Sequence, residues 1–353
     1  MGRFVTRGWL GVFSVVGLTL ALGCDAVPPG IIDDILNGNG NGNDNDNDNV
    51  SVDLVELQVY ATNTKEASGL ALHPTTGEVY AVNEDGLFGP ISQGANLSTM
   101  TPIGATNLDE APFEEFELDS LVLAITNSGE FWIGSKGSGI LAVVPPAGGP
   151  AEAFEGQAEE NTEQAIHPET MAVVPASFQG PQMAPGNLLV GQDTDFDWLN
   201  AIDVEADRTV IRVDNPTDPE NPQERDAHHL TFGLDGVLYS SRAETALTTE
   251  GIQTIATSGL PTPLPGTLGL KADSFVGLAN GDLIIRGARA VTAGNTENGI
   301  LIYSAADEET VLGVALPLQE VSEDDEMIIT SNGDTVYLSL PKRNQIYRAI
   351  DKR

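Results

Sequence analysis

One pattern of apolar and polar positions recurs six times along the chain. Each unit has a short apolar stretch, a tight turn that ends in glycine, and a second stretch rich in Val, Ile, Leu and aromatic residues. Successive turns lie about fifty residues apart, and self-similarity at a fixed period is the signature of a repeat architecture. The six turn glycines are Gly77, Gly129, Gly186, Gly236, Gly281 and Gly333.

The turns and the runs behind them are typical of β-hairpins. Asn or Asp before the glycine, as in Asp235-Gly236 and Asn280-Gly281, tolerates the positive φ that tight hairpin turns demand. The short Val- and Ile-rich runs suit strands better than helices. A third strand follows in most units, and residues 209–213 and 311–315 add a fourth. Four strands in each unit make a propeller blade.

We therefore predict an all-β fold, a six-bladed β-propeller that spans residues 50–353. The last unit has only three strands, so we expect residues 52–60 to pair outside residues 345–350 and cover the edge. The blade pattern resembles the NHL-repeat and gluconolactonase-like superfamily, whose blades also run through an apolar strand, a glycine turn and a Tyr-bearing strand. A seven-bladed ring, or a β-sandwich followed by a second domain, fits the even spacing less well.

Residues 1–23 are predicted to be a signal peptide. Arg3 and Arg7 precede an apolar run over residues 9–22, which makes about 21 Å of helix against the roughly 30 Å of a bilayer core. The single cysteine, Cys24, follows, and this junction resembles the lipobox of bacterial lipoproteins. That resemblance implies a diacylated Cys24 and an extracytoplasmic, membrane-anchored protein of the periplasm or cell surface. The alternatives are an ordinary signal peptide and, less simply, myristoylation of Gly2.

Residues 24–49 are predicted to be a flexible tether. Residues 37–49 consist of Asn, Gly and Asp alone, with no apolar side chain to bury. Asp44, Asp46 and Asp48 imitate the first ligands of a calcium-binding EF-hand loop. However, Asn49 and Val55 stand where that loop needs glycine and glutamate. The pattern favours a spacer.

The charge of the chain excludes nucleic acid as a partner. It has 52 acidic and 16 basic residues, a net charge of −36, with no basic stripe. Most acids fall in loops that enter a first strand or join second and third strands, and a propeller brings those loops to one face. We expect that face to be acidic. Its acids include Asp109, Glu110, Glu114, Glu115, Glu117, Glu155, Glu159, Glu160 and Glu163.

In five of the six units we expect an acidic residue where the innermost strand begins, close to the ring axis. In the fourth unit, His228 or His229 takes that position. The resemblance to gluconolactonase-like propellers implies a Ca²⁺ there that activates a water or a lactone carbonyl. The alternative is that these acids bind backbone N–H groups or stay hydrated. The candidate ligands are Glu66, Asp119, Glu169, Asp273 and Glu326. A second candidate cation site is the cluster Asp193, Asp195 and Asp197.

Basic residues near the ends of second strands are candidates for pairing with these acids or for binding an anionic glycan or carboxylate. They are Lys136, Arg242, Arg286, Arg289, Lys342 and Arg343. His228 and His229 are adjacent, so on a strand only one of them can face the axis. The chain contains neither Gly-x-Ser-x-Gly nor His-Glu-x-x-His. We take His228, Arg242 and Arg286 as candidate ligand-binding residues.

Two functions are compatible with this sequence, and it leaves open whether the protein is an enzyme. The first is a lipid-anchored binding or scaffold propeller, expected to be a monomer, that presents its acidic face to a protein, glycan or small molecule. The alternative is a calcium-dependent hydrolase of a lactone or ester. A sugar-oxidising propeller with a quinone cofactor would need a more basic pocket than four histidines furnish.

Overall fold

The computed structural model describes residues 53–136, 138–156, 166, 168–191, 199–213, 227–241, 251–292, 295–317, 329–331 and 335–353. These residues belong to one compact unit, Val52–Arg353. They contain β-strands and short 3-10 turns, and within these ranges no helix is long and apolar enough to cross a membrane. The predicted leader, Cys24, the tether, Asp193–Asp197, Arg242 and Glu326 lie outside them.

The strands form six sheets, mostly antiparallel. The first contains β2 (Gly69–Leu72), β3 (Val79–Asn83) and β4 (Gly86–Ile91), and the second β6 (Leu121–Ile125), β7 (Phe131–Ser135), β8 (Leu141–Val144) and β9 (Glu152–Phe154). The third contains β10 (Thr170–Val173), β11 (Leu188–Gly191), β12 (Leu199–Ile202) and β13 (Val210–Arg212). The fourth contains β14 (His229–Phe232), β15 (Leu238–Ser241), β16 (Ile252–Ile255) and β17 (Pro261–Pro263).

The fifth sheet has the longest strands, β18 (Leu270–Gly277), β19 (Leu283–Thr292), β20 (Asn295–Ser304) and β21 (Glu309–Ala315). The sixth contains β22 (Ile329–Ser331), β23 (Val336–Leu340), β24 (Gln345–Asp351), β1 (Val55–Thr62) and β5 (Ala95–Asn96). The first strands contact one another in ring order, β2 with β6, β6 with β10, β10 with β14, β14 with β18, β18 with β22, and β22 with β2. This ring of six sheets confirms the six-bladed β-propeller.

The sixth sheet combines strands from both ends of the described chain. β1 runs antiparallel to β24, from Val55 opposite Asp351 to Thr62 opposite Gln345, with a bulge at Tyr60. β5 then pairs in parallel with β1 rather than with the first sheet, which keeps three strands.

The core lies between neighbouring sheets, so inner strands are covered on both faces. All five residues of β7 are buried, and Trp132 between the second and third sheets is fully enclosed. This two-sided burial is why the sequence shows continuous apolar runs rather than strict alternation. The outermost strands β9 and β17 are short and largely exposed, as edge strands tend to be.

The first and second strands of each blade meet at the glycine turns that the sequence predicted. Five of the six turn glycines lie in the described ranges, and all five have positive φ: Gly77, Gly129, Gly186, Gly236 and Gly281, with φ between 68° and 90°. We call the edge of the sheets that carries these turns the turn edge. The opposite edge, where first strands begin and second strands end, is the entry edge.

Candidate functional site

A group of charged side chains occupies the entry edge of the second to fifth sheets. It consists of Lys136 just after β7, Glu169 just before β10, His228 just before β14, Lys271 and Asp273 on β18, and Arg286 on β19. The first strands of the third, fourth and fifth sheets contact one another, which brings these side chains together. We call the six residues the entry cluster.

Glu169 joins three blades in this cluster. Its side chain is 2% exposed, its Oε1 lies 2.7 Å from Nζ of Lys136, and its Oε2 lies 3.3 Å from Nδ1 of His228. Lys136 comes from the second sheet and His228 from the fourth. A buried carboxylate is tolerated when cations compensate it, and here the compensation comes from residues distant in sequence.

Asp273 is the second buried carboxyl of the cluster. Its Oδ1 lies 3.6 Å from Nζ of Lys271, beyond hydrogen-bonding distance. Neither of its oxygens has a hydrogen-bond partner within the described ranges. The strand bulges between Ala272 and Ser274, and a bulge re-aims the side chain it carries. Burial raises the pKa of Asp273, although nearby Arg286, Lys271 and His228 oppose the shift.

The members of the cluster differ in exposure. Lys136, His228 and Lys271 are 38%, 14% and 13% exposed, whereas Arg286 is only 1% exposed. The carboxylates are buried, with 2% of Glu169 and 7% of Asp273 exposed.

The two adjacent histidines face different surroundings, as strand alternation predicts. His228 contacts Glu169 in the entry cluster. His229 is buried, stacks edge-on against Phe275, and its Nε2 lies 3.0 Å from the carbonyl oxygen of that residue. Burial lowers the pKa of His229 to about 4, so this imidazole is neutral at pH 7 and donates to the carbonyl. It belongs to the core.

The predicted calcium ligands do not assemble in the part of the chain that the structure describes. Glu66 is exposed, with φ of 56°, and its backbone N–H donates to Oδ1 of Asn344. Asp119 is exposed as well. Among the described residues there is no group of three or more His, Cys, Asp and Glu side chains that could hold a metal.

The entry cluster itself does not suit Ca²⁺. The Nζ of Lys136 lies against the oxygen of Glu169 that the ion would need, and calcium prefers six to eight oxygen ligands. The Nζ of Lys271 likewise lies near Oδ1 of Asp273, at 3.6 Å. We therefore derive no chemistry through a metal at these residues.

The sequence predicted Glu169, Asp273 and His228 together near the ring axis, but as ligands of a metal, and it indicated Lys136 and Arg286 only as candidates for pairing with such acids. Lys271 was missed altogether. A signal was present, since Lys271 and Asp273 are two residues apart and residues at that spacing lie on one face of a strand.

A cavity of about 480 Å³ opens at the same edge of the second sheet. Three exposed carboxylates line it, Glu114 and Glu115 from the loop before β6 and Glu155 after β9. Successive turns in that loop bury Phe113 and Phe116 in edge-to-face contact and leave the carboxylates outside. The other described residues that line it carry no charge: Ala111, Pro112, Ser138, Gly139, Ile140 and Gly156. We call this cavity the acidic pocket.

Neither a family model nor a curated protein matches this chain. Several solved structures resemble it at low identity. A virginiamycin B lyase from Staphylococcus aureus is 13% identical, with a TM-score of 0.44, over 84% of this chain and 99% of that one. A putative 6-phosphogluconolactonase from Bacteroides uniformis is 17% identical, with a TM-score of 0.43, over 80% of each chain. The extracellular domain of a putative one-component system from B. thetaiotaomicron is 13% identical, with a TM-score of 0.45, over 83% of this chain and 40% of that one.

Proposed function

We propose that this propeller is a binding module that holds a positively charged partner on its acidic entry edge. The acidic pocket carries the proposal, because three carboxylates converge on one cavity and none of the described residues that line it is basic. A low-dielectric recess lined by one sign of charge raises the local concentration of oppositely charged ligands. The excess of 52 acidic over 16 basic residues adds long-range attraction.

The pocket suits an ammonium or guanidinium group on a flexible stem. Its volume of about 480 Å³ falls within the roughly 300–1,000 Å³ of small-molecule sites. Ile140 and Pro112 offer apolar surface for a hydrocarbon stem, while the carboxylates can hold its charged end. A basic peptide or a polyamine has this chemistry.

A charge-matched comparison tests the proposal with tetralysine as the probe. The variant Glu114→Gln, Glu115→Gln, Glu155→Gln should bind the peptide about tenfold or more weakly in isothermal titration calorimetry, because charge-assisted hydrogen bonds are lost. The control Glu78→Gln, Glu205→Gln, Glu309→Gln removes three exposed carboxylates at the turn edge. If both variants lose the same affinity, only the net charge acts and the pocket has no role.

We also propose that Cys24 anchors the module to a membrane on the extracytoplasmic side, with residues 24–49 as the spacer. The apolar run before the chain's single cysteine supports this. In a bacterial host that processes lipoproteins, the wild-type chain should enter the detergent phase of a Triton X-114 extraction, and Cys24→Ala should not. Equal partitioning of the two would refute the anchor.

We do not propose a calcium-dependent hydrolase. Among the described residues, Glu169 pairs with Lys136 and His228 rather than lying open to a metal ion.

A further inference from the structure

We propose that the partner held at the acidic pocket is an extended peptide rich in lysine or arginine. The peptide adds a strand to the outer edge of β9 and inserts a basic side chain into the pocket. Glu155 follows β9 directly and lines the pocket, so the strand edge and the cavity are adjacent. Such a peptide is a narrower class than the positively charged partner proposed above, on which this assignment rests, because it excludes a polyamine.

β9 is the outermost strand of the second sheet. It pairs with β8, and in the described part of the chain no strand lies on its other side. Glu152 and Ala153 of β9 are exposed to solvent. The backbone N–H and C=O groups of an exposed edge strand are a template for a further strand. Pairing with such an edge is a recurring way for proteins to hold an extended peptide.

An amide group of the chain already bonds to this edge, just before β9 begins. The backbone N–H of Ala151 donates to Oδ1 of Asn107 at 2.9 Å, and the carbonyl oxygen of Ala151 accepts from Nδ2 of Asn107 at 3.3 Å. A neighbouring strand offers the same pair of groups. Backbone groups of successive residues in an antiparallel strand point to opposite sides, so Ala153 presents its N–H and C=O on the same side as Ala151. A peptide can therefore bond to Ala153 as the side chain of Asn107 bonds to Ala151.

This edge leads to the acidic pocket. β9 ends at the entry edge, and Glu155 lies two residues beyond Ala153, about 7 Å along the strand at about 3.4 Å per residue. The hydrocarbon stems of lysine and arginine, with three or four methylene groups, span a distance of this order. Glu152 is exposed on β9 itself, and Glu114 and Glu115 line the pocket with Glu155. Acids therefore lie on both sides of Ala153 along the chain, and this charge pattern favours a basic peptide.

Three probes with the same number of ammonium or amine charges separate backbone pairing from charge alone. They are spermine, tetralysine blocked at both termini, and blocked tetralysine methylated on its peptide nitrogens. In calorimetric titration of the full chain, unmethylated tetralysine should bind about tenfold more tightly than either of the others. The reason is that neither of the others offers both the N–H and the C=O groups that pair with a strand edge.

The outcomes of this titration distinguish the peptide assignment from the function on which it rests. If spermine or the methylated peptide binds as tightly as unmethylated tetralysine, the peptide assignment is overturned, and the acidic pocket remains a site for cations. If none of the three probes binds, the proposed function fails and the peptide assignment fails with it.

Amide hydrogen exchange locates the pairing. Blocked tetralysine should slow exchange of the Ala153 N–H about tenfold or more, because that hydrogen then has an acceptor, whereas spermine should leave it unchanged. The N–H of Phe154, which points towards β8 by the same alternation, is the control within the strand. Unchanged exchange at Ala153 in the peptide-bound protein would overturn the proposal.

A variant of Ala153 tests the same contact. Ala153→Pro removes the outward N–H at an edge position of the kind where proline is tolerated, and it should abolish the advantage of tetralysine over spermine. A folded variant that keeps this advantage would contradict the pairing. Thermal melts identify a variant that has failed to fold, and the exchange of Ala153 in the wild type then decides.

Discussion

Two buried carboxylates of the fifth sheet, one at each edge, differ in what holds them. At the turn edge, Oδ1 of Asp282 accepts the backbone N–H of Ala305 at 2.8 Å, and its Oδ2 lies 2.9 Å from Arg353. At the entry edge, Asp273 has a lysine at 3.6 Å and no backbone donor within the described ranges. Both side chains are at most 10% exposed.

The difference shows that burial alone does not give a carboxylate a structural role. Asp282 satisfies a backbone group of the turn between β20 and β21, and its pairing with Arg353 ties the end of the chain, next to β24, to the fifth sheet. It therefore stabilises the fold. Asp273 accepts no hydrogen bond from a described backbone group. Its burial therefore costs free energy without stabilising a turn or a strand.

The largest expected effect is at the turn edge. Asp282→Ala should lower the free energy of unfolding by about 3 kcal/mol, because it leaves the Ala305 N–H without its acceptor and removes one of the two carboxylates that pair with Arg353. Arg353 is partly exposed, so its share is small. Urea denaturation at pH 7 measures the change. Asp282→Asn, which can keep the backbone hydrogen bond, should lose less than half as much, and an alanine variant as stable as the wild type would contradict this role.

A second effect contrasts His229, in the core, with the entry cluster beside it. Burial depresses the pKa of His229 from 6.5 to about 4, so between these pH values the unfolded chain binds a proton that the folded chain does not. Stability from this group is present above pH 6.5 and is lost as the pH falls towards 4, by about 3 kcal/mol in all. His229→Gln removes this dependence.

Urea denaturation at pH 7 and pH 4.5 tests the histidine. The wild type should lose about 2 kcal/mol more over this interval than His229→Gln does. His73→Gln, at a half-buried imidazole just after β2, is the control for the removal of one histidine. Parallel losses in the wild type and His229→Gln would mean that His229 does not titrate as described.

The architecture could be predicted because its signals are local. Asp235-Gly236 and Asn280-Gly281 encode hairpin turns within two residues, and the apolar runs behind them encode strands buried on both faces. The short edge strands could not be predicted with the same ease. β17 consists of Pro, Thr and Pro and is largely exposed, so it lacks the apolar residues by which strands are recognised.

The candidate site was harder to predict because it depends on loop paths and on partners distant in sequence. Glu66 precedes an innermost strand, as Glu169 does, yet a left-handed turn leaves Glu66 exposed. Glu169 meets Lys136 and His228, dozens of residues away on other sheets. Spacing alone could suggest that acids gather at the entry edge, but not which of them would be buried or which cations would compensate them.

The smallest expected effect on stability is that of Asp273→Asn. Unlike Asp282→Ala, this variant is not expected to destabilise the fold. Burial raises the pKa of Asp273, which means that ionising this carboxyl at pH 7 costs more in the folded chain than in the unfolded chain, and that its contribution to stability improves as the pH falls. Asparagine removes that cost and keeps the shape.

Lys271 and Arg286 lose one attractive neighbour in this variant, which offsets part of the gain. We therefore expect the free energy of unfolding at pH 7 to stay within about 1 kcal/mol of the wild type, or to rise. Urea denaturation beside Asp282→Asn makes the comparison direct. A loss of 2 kcal/mol or more would place Asp273 beside Asp282 among the groups that hold the fold.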